Sequence, residues 1–358
     1  MSGADMVGSY EEARALLRTP VQRAAYIALG VALLLLPWVT PTFYVGEAAY
    51  IFIMCIASLG LMTLTGFTGQ VSLGQAAFLS IGAYTHAQLI SHGVPLPMSL
   101  LLAGLCAGVV GLLIGLPAIR VSGLHLAIVT LAFAILTEHV MGRWTAFTGG
   151  HSGMAVPEPM LLGYSLADPR PFYYLCLAVL VVVLLLLVNL MRSATGRAFV
   201  GVRDSEAAAQ GLAIRVARTK VTAFVVSAVV SGIAGALLGH QTQFITPEGF
   251  GMALSLQLVL MVFIGGMGSL RGAILGALLI GMLPSLISLL KEVLPARIGS
   301  QFGLELFVYG AVLVFFVLLE PRGLNGRWIR LRGALEQFPL LTPSSARRQK
   351  SYMRSERA

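Results

Sequence analysis

The feature that most constrains this chain is a series of apolar segments, several of which reach the roughly 20 residues needed to cross a bilayer. Phe172–Met191 and Val221–Leu238, for example, contain no charged residue. Backbone groups in hydrocarbon must be satisfied within the structure, so spans are helices or closed barrels. The run Leu175–Leu190 lacks the alternation of a barrel strand. Because only 11% of residues are charged, against roughly 25% in soluble proteins, we predict an all-α polytopic transmembrane helical bundle.

Ten apolar segments are candidates for these helices, which gives about eight to ten spans. The third segment contains several polar residues, among them Gln75 and Gln88, so we expect a broken or cavity-lining helix there. The eighth segment is short. In chain order the segments are 22–39, 47–65, 73–91, 97–116, 123–141, 172–191, 219–241, 252–266, 272–290 and 303–319.

Lysine and arginine are distributed unevenly around these segments. With ten spans and a cytoplasmic N-terminus, the cytoplasmic pieces carry 20 of the 24 Lys and Arg residues. Cytoplasmic loops hold the excess of positive charge, so this orientation is predicted, with both termini in the cytoplasm. It divides the chain into an N-terminal segment (1–21), a transmembrane domain (22–320) and a basic tail (321–358). We expect the nine bases of the tail to contact anionic lipid and not nucleic acid.

A polar segment, residues 192–220, separates the sixth and seventh apolar segments. It reads RSATGRAFVGVRDSEAAAQGLAIRVARTK and holds six bases and two acids. Its alanine-rich centre, Ser205–Leu212, predicts a short helix outside the bilayer. A helix in this position indicates a surface on which another protein can act.

Small residues recur at four-residue spacing, as at Gly104/Gly108 and Gly111/Gly115. In lipid such pairs let helices approach closely. They predict a tightly packed bundle and carry no information about substrate.

Motifs for catalysis or nucleotide binding are absent from the sequence. There is no Gly-Lys pair, hence no phosphate-binding loop of the G-x-x-x-x-G-K type, and no H-E-x-x-H motif. The three cysteines do not have metal-ligand spacing. We therefore expect neither an enzyme nor a metal site, and no cofactor bound by this chain itself.

Polar residues within spans are costly and usually face a cavity or a partner. Four of them lie in glycine-broken or strongly polar stretches, and broken helices line binding sites in several transporter folds. We expect these four to line a translocation path: Gln70, Ser72, Gln75 and Thr130.

Seven stretches of the chain, in order, resemble the membrane subunits of branched-chain amino acid ABC importers, of the M-type (LivM-like). The longest is GRAFVGVRDSEAAAQGLAIRVARTKVTAFVVSAVVSGIAGAL, at 196–237. The resemblance covers about residues 50 to 326. The other six stretches are LTGFTGQVSLGQAAFLSIGAY (64–84), RVSGLHLAIVTLAF (120–133), FTGGHSGM (147–154), TPEGF (246–250), MVFIGGMGSLRGAILGA (261–277) and LLEPRGLNG (318–326).

This resemblance implies that the helix in the polar segment is a coupling helix that seats in a groove of a separate ATPase subunit. It implies a heterodimer with a second permease chain, two ATPase subunits that bind ATP and Mg²⁺, and an extracytoplasmic binding protein, all at a bacterial inner membrane. The residues at the matching positions of the coupling helix are Arg203, Asp204, Glu206, Ala207, Ala208 and Gly211.

Two other functions stay open at this point. Importers of urea or short-chain amides have membrane subunits that look alike, so the cargo can differ from leucine, isoleucine and valine. A stand-alone secondary transporter would need a membrane-embedded acid and base for ion coupling. Glu138 and Glu305 are the only acid candidates, and neither has an assignable partner.

Overall fold

The computed structural model describes residues 20–121, 123–158, 160–161, 164–166, 168–287, 310–311, 314–315 and 323–328. It confirms the all-α polytopic bundle. The helices are α1 (Pro20–Val39), α2 (Thr42–Leu61, continued by a π-helical turn at Met62–Gly66), α3 (Gln75–Ser91), α4 (Leu96–Ala118), α5 (Leu124–Arg143), α6 (Thr145–Thr148), α7 (Pro169–Arg192), α8 (Ala194–Asp204), α9 (Glu206–Gly211), α10 (Val216–Thr242), α11 (Met252–Gly265) and α12 (Leu270–Gly281).

Each of the first nine predicted apolar segments contains a helix. In the part of the chain that is described, seven helices are long and apolar enough to cross a membrane. The apolar stretch of α1, Ala24–Val39, is shorter, and α3 has only 17 residues. The predicted tenth span, 303–319, lies almost entirely outside the described residues, as do the N-terminal segment and most of the basic tail.

Helix α10 lies at the centre of the bundle, where it packs against α2, α3 and α4. The glycines of α4 face it: a Cβ atom added at Gly104 would lie 2.8 Å from Cγ1 of Ile233. On the other side, a Cβ at Gly82 of α3 would overlap the backbone of Gly232. The predicted close packing is confirmed, because side chains at these positions would force the helices apart.

The connection from α2 to α3, residues 67–74 (loop 67–74), lies inside the bundle and is non-helical from Gly69 onward. Thr68, Gln70 and Ser72 of this loop are buried. Irregular backbone at membrane depth is tolerated only where protein covers it and supplies hydrogen bonds. The third apolar segment is therefore not a broken span, since α3 is continuous from Gln75 onward and the irregular backbone precedes it.

Two very short antiparallel sheets lie in the connections that follow α5 and α10. Strand β1 (Met154–Ala155) pairs with β4 (Phe244–Ile245), with Met154 opposite Ile245. Strands β2 (Met160–Leu161) and β3 (Tyr164–Ser165) form a hairpin. The β1–β4 sheet joins the two connections at the same end of the bundle.

Candidate functional site

The polar segment folds into two consecutive short helices, each started by a serine. The Ser193 Oγ accepts hydrogen bonds from the backbone N–H groups of Thr195 and Gly196, at the start of α8. The Ser205 Oγ accepts the N–H of Ala208 at 3.2 Å, at the start of α9. Serine is a favoured N-cap because it satisfies a backbone donor that the helix leaves free.

Helix α9 ends in a hydrogen-bond pattern that reverses the chain. The N–H of Ile214 donates to the Ala209 carbonyl, and the N–H of Ala213 donates to the Gln210 carbonyl. This is the Schellman arrangement, which requires a left-handed residue and usually has glycine there. Here that residue is Ala213, with φ of 59°, while Gly211 lies inside the helix.

One face of α9 contacts the membrane bundle. Ala209 is buried in a small apolar cluster with Val202, Ile214 and Val216. Beside this cluster, Nζ of Lys220 lies 2.7 Å from Oε1 of Glu206. The Lys220 side chain is only 5% exposed, whereas that of Glu206 is 46% exposed.

Arg203, near the end of α8, makes a second charged contact with the bundle. Its Nη1 donates to the carbonyl oxygen of Gly66 at 3.2 Å, and its Nη2 lies 3.0 Å from Oδ1 of Asp204. Two glycines leave room for it, since a Cβ at Gly268 would lie 2.7 Å from Nη1 and one at Gly69 would lie 3.1 Å from Cγ of Arg203. Arg203 thus lies between the end of α2 and the turn that joins α11 to α12.

The opposite face of α9 is open. Asp204, Ala207, Ala208 and Gly211 are exposed, and a Cβ added at Gly211 would meet no atom within 4 Å from the described residues beyond its own chain neighbours and helix backbone. Leu212, which follows the helix, is 77% exposed. Leu212 is not among the site residues predicted from the sequence, although a large apolar side chain in so polar a stretch is a signal for such a site.

The four residues expected along a path converge around loop 67–74. Nε2 of Gln70 donates to Oγ1 of Thr68 at 3.1 Å and to the carbonyl oxygen of Lys220 at 3.4 Å. The Thr130 Oγ1 accepts the N–H of Leu73 at 3.0 Å. The Ser72 Oγ accepts the N–H of Gly74 at 3.3 Å. These contacts hold the loop in place.

Gln75 extends this group toward α10. Its Nε2 donates to Oγ of Ser227 at 3.0 Å and also to Oγ of Ser231. The Oε1 atoms of Gln70 and Gln75 are buried and have no protein donor among the described residues. Loop 67–74 and the first residue of α3 therefore each present one unpaired acceptor inside the described part of the bundle.

None of these four residues lines either of two openings in the described part of the molecule. An apolar groove of about 760 Å³ runs along α5. A smaller cavity of about 240 Å³ is lined in part by Phe172, His240 and Gln241. His240 lies against His86 in the bundle, with 2.6 Å between their Nε2 atoms, a pairing of residues 154 positions apart that the sequence did not predict.

The arrangement of a helical bundle with an exposed helix between two spans agrees with a comparison against protein families. The family model described as "Branched-chain amino acid transport system / permease component" matches residues 44–317. The chain belongs to this family. It is thus a membrane permease subunit of an ABC importer of the branched-chain amino acid type, and a multi-pass protein of the inner membrane.

Known members of this family are similar over most of the chain. The high-affinity branched-chain amino acid transport system permease protein LivM of Escherichia coli is 32% identical over 86% of this chain and 75% of its own length. LivM of Salmonella typhimurium gives the same values. The probable branched-chain amino acid transport permease protein LivH of Methanocaldococcus jannaschii is 26% identical over 81% of this chain and 94% of its own length. No solved structure matches the chain.

Proposed function

We propose that this chain is one of two permease subunits of an importer that moves leucine, isoleucine and valine into the cytoplasm, driven by ATP hydrolysis in separate subunits. The two LivM proteins, whose names state branched-chain amino acid transport, support the cargo. Family membership implies ATPase and partner subunits. The proposed complex has a second permease, two ATPases that bind ATP and Mg²⁺, and an extracytoplasmic binding protein.

The observation that carries the coupling role is the open face of α9. Alanines and a leucine that is 77% exposed lie on a segment outside the spans. Exposed apolar side chains rimmed by polar ones are typical of protein interaction sites. We propose that Asp204, Ala207, Ala208, Gly211 and Leu212 contact the ATPase subunit.

Arg203 and Glu206 have a different place in this proposal. Both side chains reach the membrane bundle of their own subunit, at Gly66 and Lys220. We propose that they belong to the coupling site as the residues that attach it to the spans, while their neighbours contact the ATPase.

The proposed orientation places the polar segment and both termini in the cytoplasm. The charge distribution supports it, since 20 of 24 Lys and Arg residues then lie on the cytoplasmic side. In this orientation we propose three parts of the chain: a cytoplasmic segment 1–21, a membrane domain 22–320 and a basic cytoplasmic tail 321–358 that contacts lipid.

We also propose that Gln70, Ser72, Gln75 and Thr130 lie along the translocation path when the bundle opens. The unpaired acceptors of the two glutamines support this, because a buried acceptor without a donor is costly unless a ligand or water supplies one. Within this group, Gln70 contacts the carbonyl oxygen of Lys220 and so adjoins the proposed coupling site.

Uptake into proteoliposomes that hold the whole complex tests the function. We expect ATP-dependent uptake of labelled leucine that excess isoleucine blocks and urea does not. Uptake that only urea or short amides block would still support an ATP-driven importer, but its substrate would be urea or a short amide. Leucine uptake by this chain alone, independent of ATP, would contradict the proposal and favour a secondary transporter.

A further inference from the structure

Lys220 is a buried cation near the first turn of α10. Its side chain is 5% exposed, and its ammonium group lies 2.7 Å from the Glu206 carboxylate. A buried charge is tolerated when it is paired and strongly destabilising when it is not. Glu206 is therefore held to the membrane bundle by a partner in its own chain.

We infer that the Glu206–Lys220 ion pair is the contact that transmits movement of α9 to the central membrane helix α10. This inference rests on the proposed function and names two positioning residues within it. Helix α9 also contacts the bundle through the small apolar cluster around Ala209. An ion pair at the start of α9 adds a directional contact that such a cluster lacks.

The contacts continue from this ion pair into the bundle. The carbonyl oxygen of Lys220 accepts a hydrogen bond from Nε2 of Gln70, which also donates to Thr68 in loop 67–74. The Arg203 guanidinium reaches the end of α2 in parallel. Movement of the polar segment is thereby passed to α2, to the loop and to α10, and the open face of α9 stays free for the ATPase.

The unequal exposure of the two partners predicts unequal effects of removing them. Glu206→Gln leaves the buried ammonium of Lys220 without a counter-charge. Lys220→Met leaves a carboxylate that is 46% exposed and can be solvated by water. The double variant leaves no unpaired charge, so Lys220→Met should relieve the defect of Glu206→Gln.

The experiment compares these variants in the reconstituted complex of permeases, ATPases and binding protein. Leucine uptake per ATP hydrolysed is measured, together with recovery of both ATPases on purification. Loss of a coupling contact corresponds to about a fivefold change or more, which we expect for Glu206→Gln. We expect a smaller loss for Lys220→Met and a double variant no worse than Lys220→Met.

Two control variants distinguish loss of the ion pair from a general effect of substituting a cation on α10. Lys220→Arg keeps the charge in a larger side chain and should retain more coupling than Lys220→Met. Arg218→Met removes an exposed cation on the same helix and should retain near wild-type coupling. If Lys220→Met behaves as wild type and the double variant is as poor as Glu206→Gln, then Glu206 acts on the ATPase and the inference is wrong.

Hydrogen exchange provides a second readout that does not depend on transport. In the assembled complex without ATP, amide exchange in α9 should rise in Glu206→Gln and Lys220→Met and stay unchanged in Arg218→Met. Unchanged amide exchange of α9 in both ion-pair variants would contradict the inference that this ion pair holds α9 to α10. Absence of ATP-dependent uptake in the wild type would instead contradict the proposed function. The exchange measurement would still test whether the ion pair holds α9 to the bundle.

Discussion

Nη1 of Arg203 donates a 3.2 Å hydrogen bond to the carbonyl oxygen of Gly66, a residue 137 positions earlier in the chain. Gly66 ends the π-helical turn that follows α2, where carbonyl groups have no partner in a next turn. A cation at a helix C-terminus is also favoured by the helix dipole. Arg203 thus caps a membrane helix from outside the spans.

Removing this cap should destabilise the permease. We expect Arg203→Met to lower its stability by about 1 kcal/mol, since the side chain is partly exposed and its contacts are weakened by solvent. Arg203→Lys should recover only part of the loss, because an ammonium cannot contact Gly66 and Asp204 with a planar fork. Thermal unfolding of the purified complex measures this. A value for Arg203→Met equal to that of Arg218→Met would contradict the capping role.

Gly211→Leu tests whether the ATPase covers this face of α9, without affecting the folding of the subunit. The space around Gly211 is open to at least 4 Å, so the subunit should fold with the larger side chain. If the ATPase covers this position, recovery of the ATPase and leucine uptake should both fall severalfold. Gly30→Leu is the matched control, because Gly30 in α1 has the same open space outside the proposed coupling site. Wild-type uptake in Gly211→Leu would contradict the proposal that this face of α9 contacts the ATPase.

Ala213→Gly should stabilise the end of α9. The left-handed conformation costs a non-glycine residue about 1–2 kcal/mol, part of which the greater flexibility of glycine in the unfolded chain offsets. The net gain should be about 0.5–1 kcal/mol, measured by thermal unfolding or by slower amide exchange in α9. Ala213→Val should have the opposite sign, and equal stability of the two variants would disprove the strained turn.

Thr130→Val tests whether Thr130 holds loop 67–74. The substitution keeps the shape of the side chain but removes the acceptor for the Leu73 N–H. An unsatisfied buried donor costs about 1–3 kcal/mol; since this hydrogen bond is part-buried, stability should fall by an amount near the lower end of that range. Thr130→Ser should restore the hydrogen bond and most of the stability. A change in leucine KM without loss of stability would instead favour direct contact with the cargo.

Gly82→Ala should prevent the bundle from closing. Its added Cβ would overlap the backbone of Gly232 in α10, and backbone cannot give way as a flexible side chain does. We expect little folded permease in detergent, judged by size-exclusion chromatography. Gly30→Ala is the control and should express as wild type; equal yields of the two variants would contradict the close approach of α3 and α10.

Much of the fold follows from the sequence because hydrophobic length and glycine spacing are local signals. Apolar runs predicted nine helices within two or three residues at most ends, and the Gly104/Gly108 pair predicted close packing. The segment bounds left a connection near 67–74, but its burial was not predicted, since this depends on Thr130 and Lys220, which lie far along the chain. The β1–β4 sheet also depends on contacts between distant connections.

The candidate site was predictable in position and not in its contacts. Ser205 and the alanines after it predicted α9, because capping and helix propensity act over a few residues. Charge alone could not show that Glu206 pairs with Lys220, 14 residues later, since this depends on how the chain reverses at Ala213. Nor could it show that Arg203 and Glu206 reach inward while Ala207 and Leu212 stay exposed.

Helix α10 continues without interruption for 27 residues, about 40 Å at 1.5 Å per residue. Lys220 lies near its beginning, and its last residues lead into β4, which pairs with β1. A helix held on several sides by close-packed neighbours can shift or rotate but cannot shorten. We therefore expect a displacement of its first turn along the helix axis to appear at the β1–β4 sheet, so a spectroscopic label on that sheet should report events at the opposite end of the helix.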